Sequence, residues 1–175
     1  KYDMKPFRGH YIQGHFVVGN GERFVSKNPA RTDDTVFEAR DGVDHVDDAV
    51  SAARRAAPAW RRQSFESRAN ALAQVASRVA QWAEPIANAI ASEMGKSIGE
   101  SLIEARSIKG KIDGVIANCP YELAPAPAGA PGEQRFHAMG VMAVVGPFNF
   151  PIHLLNTHII PALITGNTVV VKPSE

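Results

Sequence analysis

At 175 residues the chain can bury roughly 70% of the surface its unfolded form exposes, so one hydrophobic core and one globular unit are expected. Its 19 Lys and Arg are nearly matched by 18 Asp and Glu and are scattered, which gives no basic stripe for nucleic acid. No apolar run approaches the ~18 residues of a membrane span, the opening KYDMKPFRGHYIQG has no signal-like apolar region, and a single cysteine excludes a disulfide framework; a cytoplasmic protein is expected.

Taken in chain order, Tyr11 to Val18 reads as a strand, Gly19-Asn20-Gly21 as a turn, and Glu22 to Ser26 as the returning partner in an N-terminal β-hairpin. Asn28-Pro29-Ala30 then opens a loop, where Asn28 serves turn chemistry rather than catalysis. A helix is expected from Asp44, with acids in its first turn and a stripe of Val46, Ala49, Val50, Ala53, Ala57 and Trp60. A second starts near Ser64, with Ala69, Leu72, Val75, Ala76, Val79 and Trp82 facing inward; both tryptophans are expected in the core. A third runs from Glu84-Pro85 to Gly95. A fourth opens at Ser97, with Glu100 completing a capping box, and is expected to stop at Pro120.

Gly95-Lys96-Ser97 invites a phosphate-loop reading, but Ile90 stands where that loop needs glycine and the context is helical. A helix end followed by a helix start explains it. APAPAGAPG, 124–132, cannot form a regular element and reads as a tether, and residues 133–139 look extended.

The last stretch carries the functional argument. Met142 to Val145 and Thr168 to Val171 are short apolar runs suited to strands buried on both faces, and between them Ile152, Leu155, Ile159, Ala162 and Leu163 recur at helical spacing. Pro151 suits the first helical turn and Gly166-Asn167 the end. A β-α-β unit of this length makes its strands parallel, so the loop after the first strand and the segment after the second share the sheet edge where α/β proteins bind ligands.

GPFNFP, PAL near the helix end, and GNTVVVKPSE together resemble the aldehyde dehydrogenase superfamily, over roughly residues 10 to 175. The resemblance implies an α/β fold. This chain would be the N-terminal part of a Rossmann-like cofactor-binding domain with several helices, the N-terminal β-hairpin and a projecting oligomerisation strand at 133–139 that pairs with another copy. Thr35 to Ala39 would be a short strand. Residues 1–120 would form the hairpin and helical part, 121–141 the tether and oligomerisation strand, and 142–175 the first β-α-β of the cofactor sheet. Members of the family are several hundred residues long, so the chain is expected to be a fragment lacking the catalytic domain.

The family oxidises an aldehyde by cysteine attack, hydride transfer to a nicotinamide cofactor and thioester hydrolysis. Asn149 matches the loop asparagine whose amide stabilises the aldehyde oxygen as it gains charge. Lys172 and Glu175 match the residues that contact the adenosine ribose, and Pro147 and Phe148 are implied to line the cofactor trough. NAD is favoured, with NADP possible, because the Glu175 carboxylate would oppose a ribose phosphate. The nucleophile, the base glutamate and the pyrophosphate glycine motif all belong downstream of this chain, so it is expected to be inactive alone. Cys119, on an apolar helix stripe, is refused as the nucleophile.

His153 and His158 lie about 140 degrees apart on a helix, poor for shared metal ligation, and no metal is expected. The longer pattern F-P-x-H-L-x-N-x-H resembles the succinylglutamate semialdehyde dehydrogenases of bacterial arginine catabolism. Their small acidic aldehyde would want a cationic or donor group, which either histidine could supply. The alternative function is a non-catalytic truncated module for subunit assembly. An unrelated nucleotide-binding domain is disfavoured because no G-x-G-x-x-G is present.

Overall fold

The computed structural model describes residues 9–125 and 132–174. Most of the tether and Glu175 therefore lie outside the described residues. The expected first hairpin is corrected by the backbone. β1 (His10–Ile12) and β2 (His15–Val17) pair antiparallel with each other, so the run from 11 to 18 is itself folded in two. Gln13 (φ 51) and Gly14 (φ 85) both take the positive φ that a type I′ two-residue loop demands. β3 (Arg23–Asn28) is left to pair forward with β4 (Arg31–Arg40), a longer strand than expected. Their turn is held by the Asn28 Oδ1, which accepts from the Ala30 N–H at 2.9 Å, the turn chemistry anticipated for that residue.

A single 3-10 turn (Val43–His45) leads into α1 (Val46–Arg62). α2 (Phe65–Gln81) is capped by Ser64, whose hydroxyl accepts from the Ser67 N–H, and α3 (Ala83–Met94) ends on Gly95 at φ 70. α4 (Ile98–Glu122) begins with the expected capping box, the Ser97 hydroxyl accepting from the Glu100 N–H at 3.2 Å and meeting its carboxylate at 3.0 Å. Gly95 and Ser97 are thus a cap and a start, not a phosphate loop. Gly95 is also tightly packed, since a Cβ there would stand 2.7 Å from the Pro29 Cγ of the β3–β4 turn.

Several expectations about these helices fail. Pro120 does not stop α4, which continues to Glu122. A proline in the last turn removes one backbone donor, and the Leu123 N–H still closes the end on the Cys119 carbonyl at 3.0 Å. Val46 and Val75, expected on inward stripes, are 52% and 46% exposed, and Trp82 is 61% exposed rather than core. It sits at the α2–α3 junction (φ −100, ψ 13), where the helical period breaks and the α2 stripe no longer points inward. Trp60 is half-buried, its indole donating to the Leu163 carbonyl at 2.9 Å.

β5 (Val141–Val145), α5 (His153–Ile164) and β6 (Thr168–Lys172) form the expected parallel β-α-β, in register from Val141↔Thr168 to Val145↔Lys172. Gly166 takes φ 90 just past α5. Neither strand is buried on both faces: in β5 only Val144 is buried, and Val145 is 75% exposed, because among the described residues the sheet has two strands. The core instead lies among helices, where Leu72 and Ala76 of α2, Ile108, Ile112 and Cys119 of α4, and Ile160 and Ile164 of α5 form one cluster. α5 touches both this cluster and the sheet, Leu155 packing where a side chain on Gly146 would have to go. A helix enclosed this way carries apolar residues on more than one face. Residues 134–139 form no strand, with Met139 almost fully exposed. An extended segment has no ladder without a partner's edge.

Candidate active site and cofactor edge

The parallel pairing decides where the sequence motifs meet. β5 ends at Val145 opposite Lys172, and the next N–H, that of Gly146, donates to the Lys172 carbonyl at 2.9 Å. The loop Pro147-Phe148-Asn149-Phe150 and the segment Lys172-Pro173-Ser174 therefore leave the sheet side by side, at the edge of strand carboxyl ends where α/β folds bind ligands. Asn149 is exposed and its side chain makes no hydrogen bond with another described residue, so its amide is available to a ligand. Phe148 is 68% exposed and Lys172 is exposed at the same edge. Pro147 is half-buried at the loop base.

What holds this loop was not anticipated. Glu104, on α4, is 3% exposed, yet its carboxylate is fully used. One oxygen accepts the N–H groups of Ile152 and His153 at 3.2 Å each, closing the amino end of α5 from another helix. The other accepts the Lys96 ammonium at 2.7 Å. Lys96 in turn lies over the Phe150 ring, 3.8 Å from its centroid. The residues on the carboxyl side of Asn149 are thus gripped by a buried ion pair from the α3–α4 corner.

A second network follows along α5. The Lys111 ammonium meets the His153 Nε2 at 3.1 Å and the Thr157 hydroxyl. An ammonium only donates, so Nε2 carries no proton. Nδ1 then bears it and donates to the Ser107 hydroxyl at 3.1 Å, which itself donates to the Glu104 carbonyl at 2.8 Å. His153 is a fixed, neutral part of a chain of hydrogen bonds, whereas His158 is exposed one turn on. The helical spacing of residues 104, 107, 111 on α4 and 153, 157 on α5 is the only sequence signal of this contact. Nothing local in the chain pairs the two faces.

Cys119 is buried, and burial together with the nearby Glu122 charge pushes its thiol above the ordinary range, against the nearer-to-thiolate state a nucleophile needs. Burial likewise raises the Glu93 carboxyl. Among the described residues no cluster of His, Cys, Asp and Glu could hold a metal ion, and no helix is long and apolar enough to cross a membrane.

The aldehyde dehydrogenase family model matches residues 16–175, which takes in the β3–β4 hairpin, the helices and both edge motifs. The chain belongs to the aldehyde dehydrogenase family. Among curated relatives it is 42% identical to an N-succinylglutamate 5-semialdehyde dehydrogenase of Vibrio cholerae over 169 residues, covering 95% of this chain and 35% of that protein. The corresponding protein of Chromobacterium violaceum is 39% identical over 168 residues, with 94% of this chain and 35% of the relative covered. The chain thus spans about a third of the length of the curated relatives it matches. Among solved structures, a lactaldehyde dehydrogenase of Escherichia coli superposes with a TM-score of 0.84 at 31% identity, over 94% of this chain and 35% of that one. An NADP-dependent glyceraldehyde-3-phosphate dehydrogenase of Bacillus halodurans gives 0.84 at 26% identity, over 93% and 36%. The fold is therefore that of an aldehyde dehydrogenase with its Rossmann-like cofactor domain.

Proposed function

We propose that these residues are the cofactor-side part of a cytoplasmic, NAD(P)-dependent aldehyde dehydrogenase that oxidises a semialdehyde to a carboxylate, with N-succinylglutamate 5-semialdehyde as the favoured substrate. The observation that carries this is the hydrogen bond from the Gly146 N–H to the Lys172 carbonyl, which keeps the Asn149 loop and the Lys172 segment together at one sheet edge of an aldehyde dehydrogenase chain. The substrate follows from the two semialdehyde dehydrogenases that share about 40% of its residues.

The edge suits a dinucleotide, with the basic Lys172 at one strand end and the exposed ring of Phe148 beside the other. Lys172 and Glu175 would hold the adenosine ribose, with Pro147 and Phe148 lining the trough. When bound, the nicotinamide accepts the substrate's hydride. The solved neighbours include enzymes described as NADP-dependent and as NAD-dependent; for this chain NAD is favoured, since the Glu175 carboxylate would repel a ribose phosphate.

Asn149 donates its side-chain amide to the aldehyde oxygen as the carbonyl becomes tetrahedral under thiolate attack. A neutral donor stabilises the charge without gaining or losing a proton. The attacking cysteine and the base that frees the product lie outside these 175 residues. The same proposal includes a homo-oligomer formed through residues 133–139, where Phe136 and Met139 offer exposed apolar side chains to a partner edge.

In the full-length enzyme, Asn149→Ala should lower kcat by about 100- to 1,000-fold with little change in KM, since the amide matters most once charge develops. Steady-state kinetics with NAD and a semialdehyde measure it. An unaltered kcat would remove Asn149 from the reaction.

A further inference from the structure

Lys111 is set apart by its company. Of the other cations drawn into contact by α4, Lys96 is paired with Glu104 and Lys109 with Asp113, each a carboxylate. Lys111 is half-buried, yet its partners among the described residues are a neutral imidazole nitrogen and a hydroxyl. A half-buried ammonium whose partners among the described residues are dipoles has a favourable place for one anion. His153 cannot answer that charge. Its Nε2 is occupied in accepting from Lys111 and its Nδ1 proton goes to Ser107, so the imidazole serves to aim the ammonium.

The position of this cation is informative. Thr157 lies one helical turn, about 6 Å, beyond His153 on α5. His153 follows Asn149 by only four residues, and its ring is 6.2 Å from that of Phe150, the residue next to Asn149. A molecule whose reacting oxygen rests on the Asn149 amide could thus lay its far end along the first turn of α5 toward Lys111. An anion there would meet the ammonium and the Thr157 hydroxyl together.

We propose that Lys111, aimed by His153 and Thr157, selects aldehydes that carry a carboxylate at the end remote from the reacting carbon. The inference deepens the activity proposed above and rests on it. It replaces the two histidines as the expected cationic group: His153 positions Lys111, and the exposed His158 has no part.

The test uses the full-length enzyme with NAD and two aldehydes of equal chain length, one ending in a carboxylate and one in a methyl group. Lys111→Met keeps the aliphatic stem and removes the charge. The ratio of kcat/KM for the carboxylated aldehyde to that for the neutral one should fall on the order of 50-fold, carried by KM, as expected for loss of a charge-assisted hydrogen bond. Lys111→Arg should restore most of the ratio. An equal fall for both aldehydes in Lys111→Met, or an unchanged ratio, would overturn the assignment, because a merely structural lysine cannot distinguish the two substrates. Failure of the wild-type enzyme to oxidise either aldehyde would overturn the proposed activity itself, and this inference with it.

Discussion

At the amino end of α5 the N–H groups of Ile152 and His153 are taken by a carboxylate from α4, whereas at the carboxyl end the carbonyls of Leu163 and Ile164 are taken by Trp60 and Arg68 from α1 and α2. Both ends face the same requirement, since a helix leaves donors unmet at its start and acceptors at its finish. Both answers come from far along the chain and place a negative group at the positive end or a positive group at the negative end. They differ in what else they touch. Glu104 is joined through Lys96 to the ring beside Asn149, while Arg68 also reaches the Gln63 carbonyl at the end of α1 and holds only scaffold. One end of α5 therefore ties the scaffold to the loop proposed to act on substrate, and the other ties only scaffold to scaffold.

That contrast can be broken. Glu104→Ala leaves the Lys96 charge without its carboxylate and two helix donors unmet; it should cost about 3–5 kcal/mol of stability and lower kcat as the Asn149 loop loses its anchor. Denaturant unfolding and steady-state kinetics on the full-length enzyme read the two effects, and an undisturbed kcat would make the amino end as purely structural as the other. Arg68→Ala should cost less, about 2 kcal/mol, with kcat unchanged in the folded protein. A fall in kcat there would dissolve the distinction from the opposite side.

The smallest effect is expected at Cys119, which belongs to the shared core and to neither end. Its thiol is raised on folding, so it favours the folded state below the pKa of an unfolded thiol, near 8.5, and that contribution is lost as pH rises through the higher folded value. Cys119→Ala should be slightly less stable at neutral pH because of the lost packing. The gap in unfolding midpoint from the wild type should narrow between about pH 8 and 10, and a gap that widened would reverse the sign assigned to burial.

Much of the scaffold was legible because its signals are local. Ser64, Ser97 with Glu100, Gly95 and Gly166 mark helix ends within a few residues of the groups they satisfy, and the two apolar runs around α5 can only be parallel. Asn149 and Lys172 stood out through motifs, and the pairing of β5 with β6 brings those motifs together. The β1–β2 hairpin was missed because Gln13 is an unusual residue at positive φ and hides the turn. Trp82 was misplaced by carrying a helical period across a junction, and Pro120 by treating a last-turn proline as a stop. The networks around Glu104 and Lys111 were invisible for a different reason. Their partners are separated by as many as 49 residues and depend on how two helices are set side by side, which no window along the chain encodes.

Gly95 adds a final point. Because it needs a left-handed backbone and lies against Pro29, it locks the corner that carries Lys96 to the tip of the β3–β4 hairpin. Pro29, Gly95 and Lys96 lead from the hairpin turn to the ring next to Asn149. A side chain at Gly95 would thus have to displace either the hairpin turn or the corner that carries Lys96 over that ring.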